Sequence, residues 1–306
     1  MKNFEFNYAK NFNCIGSECK HNCCVGWEIK IDKKSLKNYH LLANNDQRFN
    51  KENFDNDNFK LNKIGRCPFL EQDNLCYIIK HYGEKSLCKT CKTHPRFKNF
   101  FSGVTETGLG LYCEESCRIA LSQKKISLVQ VKGDNKPFLF SPFEKKVLAY
   151  RNKALKIISS RHTLEEKIAK LSSLCQIDLN KKSFNDWLEV FCNLEALSVN
   201  DFAFEKIPKS QDFAKINTAF EKQYINLLTY LVYRHISRAI DLLDLRVRLA
   251  FVILSFKMIS HILSLNSLAN FGNLVECVRF YTSEIECSDD NLFYLLNQIE
   301  DLICFI

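Results

Sequence analysis

Ten of the fifteen cysteines fall within the first 117 residues, and four of them crowd together as Cys14, Cys19, Cys23 and Cys24. Cys67, Cys76, Cys88, Cys91, Cys113 and Cys117 complete the group. Thiolates are soft ligands that suit zinc or iron–sulfur clusters, and short loop spacings let one chain present several of them to a metal. Cys88 and Cys91 form a C-x2-C pair, the commonest two-ligand knuckle. Zinc fingers and ribbons want two such pairs at regular separation, and only this one is present. Cys23 and Cys24 are adjacent, so their side chains diverge and one compact tetrahedral site rarely takes both. Ten thiols also exceed a single four-ligand site. The expectation is one metal or cluster with four ligands, plus a second site or supporting thiols, with iron–sulfur and zinc both open. His94 reads as a supporting or surface group rather than a ligand. Cys175, Cys192, Cys277, Cys287 and Cys304 stand singly in apolar helical sequence and read as small core residues.

Composition bounds where this chemistry operates. The 306 residues are 46% hydrophobic and 25% charged, enough for a sizeable core and against disorder. The start, Met1 to Asn7, has no apolar run of the kind a signal peptide needs, and the apolar run Leu249–Phe256 stops at Lys257. A cytoplasmic protein with no membrane partner is expected. In a reducing cytosol, clustered cysteines favour metal or redox work over disulfides. The net charge of +8 comes from lysines spread along the chain, so no nucleic-acid partner is expected.

The elements that must position the cysteines divide into two kinds. Up to about residue 125, short segments are broken by Gly, Asn, Asp and Pro. One helix is expected over Ser35–Ala43, followed by a polar loop to Asp57. Seven of the nine glycines lie in this part, where φ > 0 turns let backbone wrap an ion. From about residue 140 the pattern turns helical. Ser141-Pro142-Phe143-Glu144 and Thr163-Leu164-Glu165-Glu166 read as capping boxes, the first with proline at the opening helical position. Ser183–Leu197 and Asp212–Leu265 are long helical stretches. Ser288 starts a last helix with Leu292, Leu295, Leu296, Ile299, Leu302, Ile303 and Ile306 on one face. The boundary is expected within residues 121–140, near Lys132–Pro137. The fold class is therefore mainly α. A cysteine-rich metal-binding module with little regular structure (1–125) precedes a multi-helix domain (140–306).

The cysteine-bearing segments have a recognisable order. Cys14-Ile-Gly-Ser-Glu-Cys19-Lys-His-Asn-Cys23-Cys24-Val-Gly-Trp27 is followed by Cys67-Pro68-Phe69-Leu70, Cys76-Tyr-Ile and Leu87-Cys88-Lys-Thr-Cys91-Lys-Thr-His-Pro95-Arg96. This series resembles the flagellin lysine N-methylase family, within a broader group with CxxCxxCC-type cysteine clusters. Tyr230-Leu-Val-Tyr233-Arg234-His235 resembles another segment of that family more weakly. The chain departs from the family near its last cysteines, where Cys113-Glu-Glu-Ser-Cys117 stands in place of Ser-Cys-Pro-Glu. The resemblance implies methylation of surface lysines on flagellin with S-adenosyl-L-methionine, by a protein carrying a [4Fe-4S] cluster. The usual signatures of such enzymes are missing. There is no radical-type C-x3-C-x2-C, and Gly108-Leu-Gly110 lacks the third glycine of a dinucleotide loop, where Cys113 stands instead. No strand–helix alternation points to a Rossmann-like domain.

Methyl transfer to lysine needs a neutral amine and a home for a sulfonium donor. Tyr233, Arg234 and His235 are the candidates for catalysis. Arg96, Glu114 and Arg238 are the candidates for holding the donor, Arg96 through a bidentate carboxylate contact. Glu106 and Glu115 are further acidic candidates. Tyr230, Arg234, Arg238 and Asp241 recur at helical spacing and are expected to share a face, either a salt-bridged helix surface or the lining of a pocket. Trp27 reads as packing over the cysteine loop. Two rivals stay open: a non-enzymatic zinc- or iron-binding adaptor, and a redox iron–sulfur protein.

Overall fold

The computed structural model describes residues 2–133, 139–197, 203–266 and 268–303. It divides into two compact units. One comprises Asn13–Arg96 with Cys113–Glu115; the other comprises Met1–Phe12, Phe97–Tyr112 and Ser116–Ile306.

The smaller unit carries three short helices, α1 (Lys33–Leu42), α2 (Tyr77–Tyr82) and α3 (Lys89–Thr93). Asp32 caps α1 through the Ser35 amide. Its core is aromatic. Tyr39, Phe49, Phe54, Phe59 and Phe69 are buried against one another, with ring centroids 4.9 Å apart for Phe49 and Phe69. The Asn44–Asp57 segment is thus not a plain polar loop. It folds into two 3-10 turns and a hairpin, Phe54–Asp55 with Asn58–Phe59, because phenylalanine recurs every fifth residue and reaches the core. Asp46 ties the rim down. Its carboxylate accepts from the Tyr77 hydroxyl at 2.8 Å, the Tyr82 hydroxyl at 2.7 Å and the Arg48 amide at 2.9 Å.

The larger unit holds a four-stranded sheet in the order Arg96–Phe101, Val104–Leu109, Lys2–Phe6, Leu128–Lys132. Lys2–Phe6 runs parallel to Val104–Leu109 and antiparallel to Leu128–Lys132. Among the described residues, eight helices follow from the end of the smaller unit onward: α4 (Glu114–Ser122), α5 (Pro142–Ile158), α6 (Leu164–Cys175), α7 (Phe184–Cys192), α8 (Glu221–His235), α9 (Leu242–Ser264), α10 (Phe271–Glu286) and α11 (Asp289–Glu300). Both expected capping boxes are present at α5 and α6, and Ser288 caps α11 through Asn291. α9 packs against α6, α8, α10 and α11. By length and composition it could cross a membrane, yet 89% of its most apolar window is buried within the protein. It is the central core helix that its lysine and histidine interruptions imply.

The fold is mainly α, as the helical periodicity implied. Its divisions differ from the expected ones. The first twelve residues and the 97–112 hairpin belong with the helices, because period-two segments such as Phe4/Phe6 and Phe97/Asn99/Phe101 bury alternate side chains in the larger core. Part of the expected linker, residues 134–138, lies outside the described residues, as do Cys304 and Ile306.

The two glycines of the Gly108-Leu-Gly110 segment have a packing reason. A methyl group on Gly108 would sit 2.4 Å from the Phe97 ring and 2.7 Å from the Phe6 ring, and one on Gly110 would meet the Tyr112 ring at 2.1 Å. Gly108→Ala is expected to cost about 1–3 kcal/mol by overpacking. Urea denaturation read by helical circular dichroism measures it, and an unchanged midpoint would remove this explanation of the glycine.

Candidate metal centre

Three stretches of the smaller unit bring six cysteines together. The first is a turn at residues 22–25. Asn22 Oδ1 accepts from the Cys24 amide at 2.9 Å, and the Val25 amide donates to the Asn22 carbonyl at 3.1 Å. The next residues, at Gly26 and Gly65, both need positive φ, +90° and +73°, which only glycine adopts without strain. The Gly26 amide donates to the Gly65 carbonyl at 2.9 Å, and the Cys67 amide donates to the Cys24 carbonyl at 2.8 Å. Cys24 and Cys67 are thereby bound backbone to backbone. From Cys67 the chain turns, bridging Leu70 to Cys76, which starts α2. The third stretch is the C-x2-C pair, with Cys88 at the head of α3. It is fixed by the Lys89 amide on Asp32 at 2.8 Å and the Thr90 hydroxyl on the Lys30 carbonyl at 2.6 Å.

These thiols act electrostatically on one another. Cys67 is pushed up to about 12, chiefly by burial and further by Cys76, Cys88 and Cys23. Cys76 is raised by burial and by Cys23 and Cys88. Cys23 is raised by its hydrogen bond to Cys24 and by burial. Cys88 is lowered to about 7 by a hydrogen bond from Cys91, aided by the Cys91 and Thr90 amides, while Cys91 is raised by the same bond and by burial, with Cys24 and Cys67 adding to it. Six thiols whose charges oppose one another make a set of soft donors that a cation would stabilise.

The other four of the ten stand apart from this set. Cys14 is exposed, its sulfur accepting from the Gly16 amide at 3.4 Å. Cys19 and Cys113 lie together beside Glu114. Cys117 belongs to the larger unit, fully buried, with its thiol donating to the Val275 carbonyl at 3.7 Å. Of the five later cysteines, Cys175 and Cys277 are buried, Cys192 is half-buried and Cys287 is exposed at the end of α10, so Cys287 is not the core residue expected. Trp27 is 39% exposed and donates from Nε1 to the Cys23 carbonyl at 2.6 Å, pinning the cysteine turn from outside. Its ring lies 6.1 Å from that of His94, whose pKa burial lowers to about 4. Arg96 is exposed at the head of its strand.

The remaining candidates sit in the larger unit. Tyr230, Arg234, Arg238 and Asp241 do not share one helix face. α8 ends at His235, Arg238 lies in the 3-10 turn that follows, and Asp241 caps α9 through the Asp244 amide. What Tyr230, Arg234 and His235 do share is Glu286. That carboxylate accepts from the Tyr230 hydroxyl at 2.6 Å and Arg234 Nε at 3.1 Å, and lies 3.2 Å from His235 Nε2. The Leu111 amide completes the chain by donating to the Tyr230 hydroxyl at 3.2 Å. Burial alone would raise Glu286, but Arg234, His235 and Tyr230 bring it below its ordinary range. Arg234 also lies over the Phe97 ring at 4.6 Å.

Sequence reasoning missed Glu286 and also Arg151. Arg151 pairs bidentately with Glu106 at 2.6 and 2.7 Å, both side chains buried, and stacks 4.7 Å over the Tyr233 ring. Asn99 bonds both Glu106 and the Tyr233 carbonyl. Glu106 is thus a buried ion-pair partner rather than an acid beside the cysteines. Glu286 is the last residue of α10 and one of three acids in that helix, so its partners came only with the tertiary fold.

Burial lowers the pKa of both His235 and His261 in the larger unit. His261 Nδ1 accepts from the Ala214 amide at 3.0 Å, and its ring stacks 3.9 Å from Phe184. Above pH ~6.5, both states hold these rings neutral and stability is at its full value. As pH falls below that, the unfolded chain takes protons that the folded chain refuses. Each histidine then removes up to about 1.4 kcal/mol per pH unit until its own folded pKa is reached. Denaturation at stepped pH is expected to show a plateau above pH ~7 and a decline beginning near 6.5. His261→Phe should make the decline shallower; an identical slope would contradict the assignment.

No family model matches the chain, and no solved structure matches it. Curated relatives do. It is 34% identical over 139 residues to proteins named lysine-N-methylase from Salmonella choleraesuis and Salmonella typhimurium, covering 39% of this chain and 34% of each relative. The match therefore spans about a third of those two relatives' length. A flagellar biosynthetic protein FliU from Salmonella muenchen is 33% identical over 120 residues, covering 35% of this chain and 70% of that protein. With that share of FliU covered at this identity, the chain belongs to the flagellin lysine N-methylase family that its cysteine motifs resemble.

Proposed function

We propose that this protein is a cytoplasmic methyltransferase that adds methyl groups to surface lysines of flagellin from S-adenosyl-L-methionine, and that the smaller unit holds a [4Fe-4S] cluster. The observation that carries the reading is the set of Cys23, Cys24, Cys67, Cys76, Cys88 and Cys91, delivered by three separate stretches of one small unit. The names of the relatives supply the reaction class. The donor set fits the group. Iron–sulfur clusters take cysteine thiolates as ligands, and six are available where four suffice. Four of these six would saturate the cluster's irons; held by three, it would leave one iron as a Lewis-acidic place for the donor's amino and carboxylate groups, and the remaining thiols would support it.

The chain's own residues supply the rest. Asp32, Lys30 and Asn22 hold the cysteine-bearing backbone through hydrogen bonds. In the larger unit, Glu106–Arg151 and the Glu286 group are internal ion-pair networks that hold Tyr233, Arg234 and His235 in place. The acceptor lysine must lose its proton first. With a pKa near ~10.4, only about one in two thousand is neutral at pH 7. A desolvated position for that amine is therefore required.

Incubating the anaerobically purified protein with flagellin and methyl-labelled donor, then weighing the flagellin, tests the reading. A mass gain in ~14 Da steps, one net methyl addition each, is expected. Unchanged flagellin mass, with iron present and a reversible redox couple, would replace this reading with the redox one. Zinc in place of iron, with no donor binding, would favour the adaptor.

A further inference from the structure

We propose that the turn between α8 and α9 is a docking site for an acidic side chain of the protein substrate, held by Arg238 and Arg248. The site rests on the methyltransferase reading and adds where, and by what chemistry, flagellin is held. Its residues all belong to the larger unit. Arg238 lies in the 3-10 turn Ile236–Arg238 that follows α8, and Arg248 lies in the second turn of α9. The Asp244 carboxylate joins the two. Its Oδ2 accepts from Arg248 Nε at 2.9 Å and from the Ile240 amide at 2.9 Å, so the backbone two residues after Arg238 is tied to the Arg248 guanidinium. Asp241 fixes the same corner by accepting from the Asp244 amide at 2.8 Å.

Both arginines have donors to spare. Arg248 is 6% exposed, yet its Nη1 is buried with no hydrogen-bond partner among the described residues. A buried donor is costly to leave unmatched, so an acceptor belongs there. Arg238 is exposed and makes no hydrogen bond or ion pair among the described residues. Partial burial lowers its pKa, and the charges of Arg234 and Arg248 lower it further, while Asp289 and Glu286 act in the opposite direction. Arg234 is already matched by Glu286, and Arg248 by Asp244. One guanidinium is left without an ion pair, which suits a single carboxylate better than a doubly charged phosphate. The surroundings favour a protein segment over a free small acid. Ile240, Leu242 and Leu243 follow directly in the chain and are 79%, 54% and 36% exposed. Apolar side chains beside a cation match a segment in which an acidic residue neighbours apolar ones. The hydrogen bonds to Asp241 and Asp244 fix the turn, which lowers the ordering cost of binding.

Steady-state methylation of flagellin by full-length Arg238→Gln tests the site; Arg238 is exposed, so the variant is expected to fold. KM for flagellin should rise about 10-fold, the scale of one charge-assisted hydrogen bond, while KM for the methyl donor keeps its wild-type value. Arg238→Lys, which keeps the charge but not the planar fork, should fall between the two. Added salt should raise the wild-type KM for flagellin and change that of Arg238→Gln less. Wild type that methylates flagellin, with Arg238→Gln at the same flagellin KM, would overturn the docking site and leave the methyltransferase reading standing. So would a rise confined to KM for the donor, which would assign Arg238 to the donor instead. Flagellin left unmethylated by the wild type would overturn the reading, and the docking site with it.

Discussion

Removing metal from the anaerobically prepared chain with a strong chelator is expected to unfold residues 13–96 while the helical unit keeps its structure. The smaller unit has 84 residues in its main stretch, Asn13–Arg96, and its regular structure is slight. Its helices are 10, 6 and 5 residues long, below the length at which a helix holds itself in water. Its core is one aromatic cluster around Phe49 and Phe69, with Cys67 and Cys88 buried at its edge. The unit's length is only just above the ~70–80 residues below which a single core rarely suffices without metal or disulfide reinforcement. The thiols raise the demand, since burial opposes ionisation of Cys67 and Cys76, and Cys23 and Cys91 are raised as well. Structural metal sites contribute on the order of 10 kcal/mol to folding in small domains, so the expected loss exceeds the unit's own stability. Hydrogen exchange read by mass spectrometry resolves it segment by segment. Fast exchange confined to residues 13–96 after chelation is the expected pattern. Unchanged protection there would mean the aromatic core suffices and the metal is not structural.

The second large effect is expected at Glu286. Its carboxylate is fully buried and serves Tyr230, Arg234 and His235 at once. Glu286→Ala would strand the Arg234 charge, whose side chain is 11% exposed, and leave the Tyr230 hydroxyl without its acceptor. Breaking a buried pair from one side costs about 3–5 kcal/mol. Tyr230→Phe removes the hydroxyl that joins the Leu111 amide to Glu286 and should cost about 1–2 kcal/mol. The double variant should cost less than the sum, because the two act in one network. Thermal and urea unfolding of the three variants gives these values. A loss under 1 kcal/mol for Glu286→Ala would show that Arg234 finds other partners.

Local signals in the sequence were faithful. Ser141 with Glu144 and Thr163 with Glu166 named two helix starts, and Ser288 a third, because capping depends on residues three apart and nothing else. The cysteine spacings likewise pointed to the unit that holds them. Reading failed where partners are distant. Tyr230 to Asp241 looked like one helical face, but the chain leaves the helix after His235 and turns before Asp241 starts another. Cys117 looked equivalent to Cys113 four residues earlier, and the two ended in different units. Asn44–Asp57 looked like loop because its asparagines and aspartates outnumber Phe49 and Phe54, although those two rings decide where it goes. Arg151 gave no sign of its role, since its Glu106 lies 45 residues away.

Iron and acid-labile sulfide, counted per chain in protein isolated without oxygen, test the central claim most directly. The account predicts about four of each in the wild type, and their loss in Cys88→Ser and Cys67→Ser, whose thiols belong to the six-membered set. Full retention is predicted in Cys117→Ser, whose thiol faces the Val275 carbonyl in the larger unit. Wild-type protein free of iron and sulfide, or cluster lost in Cys117→Ser but kept in Cys88→Ser, would contradict it.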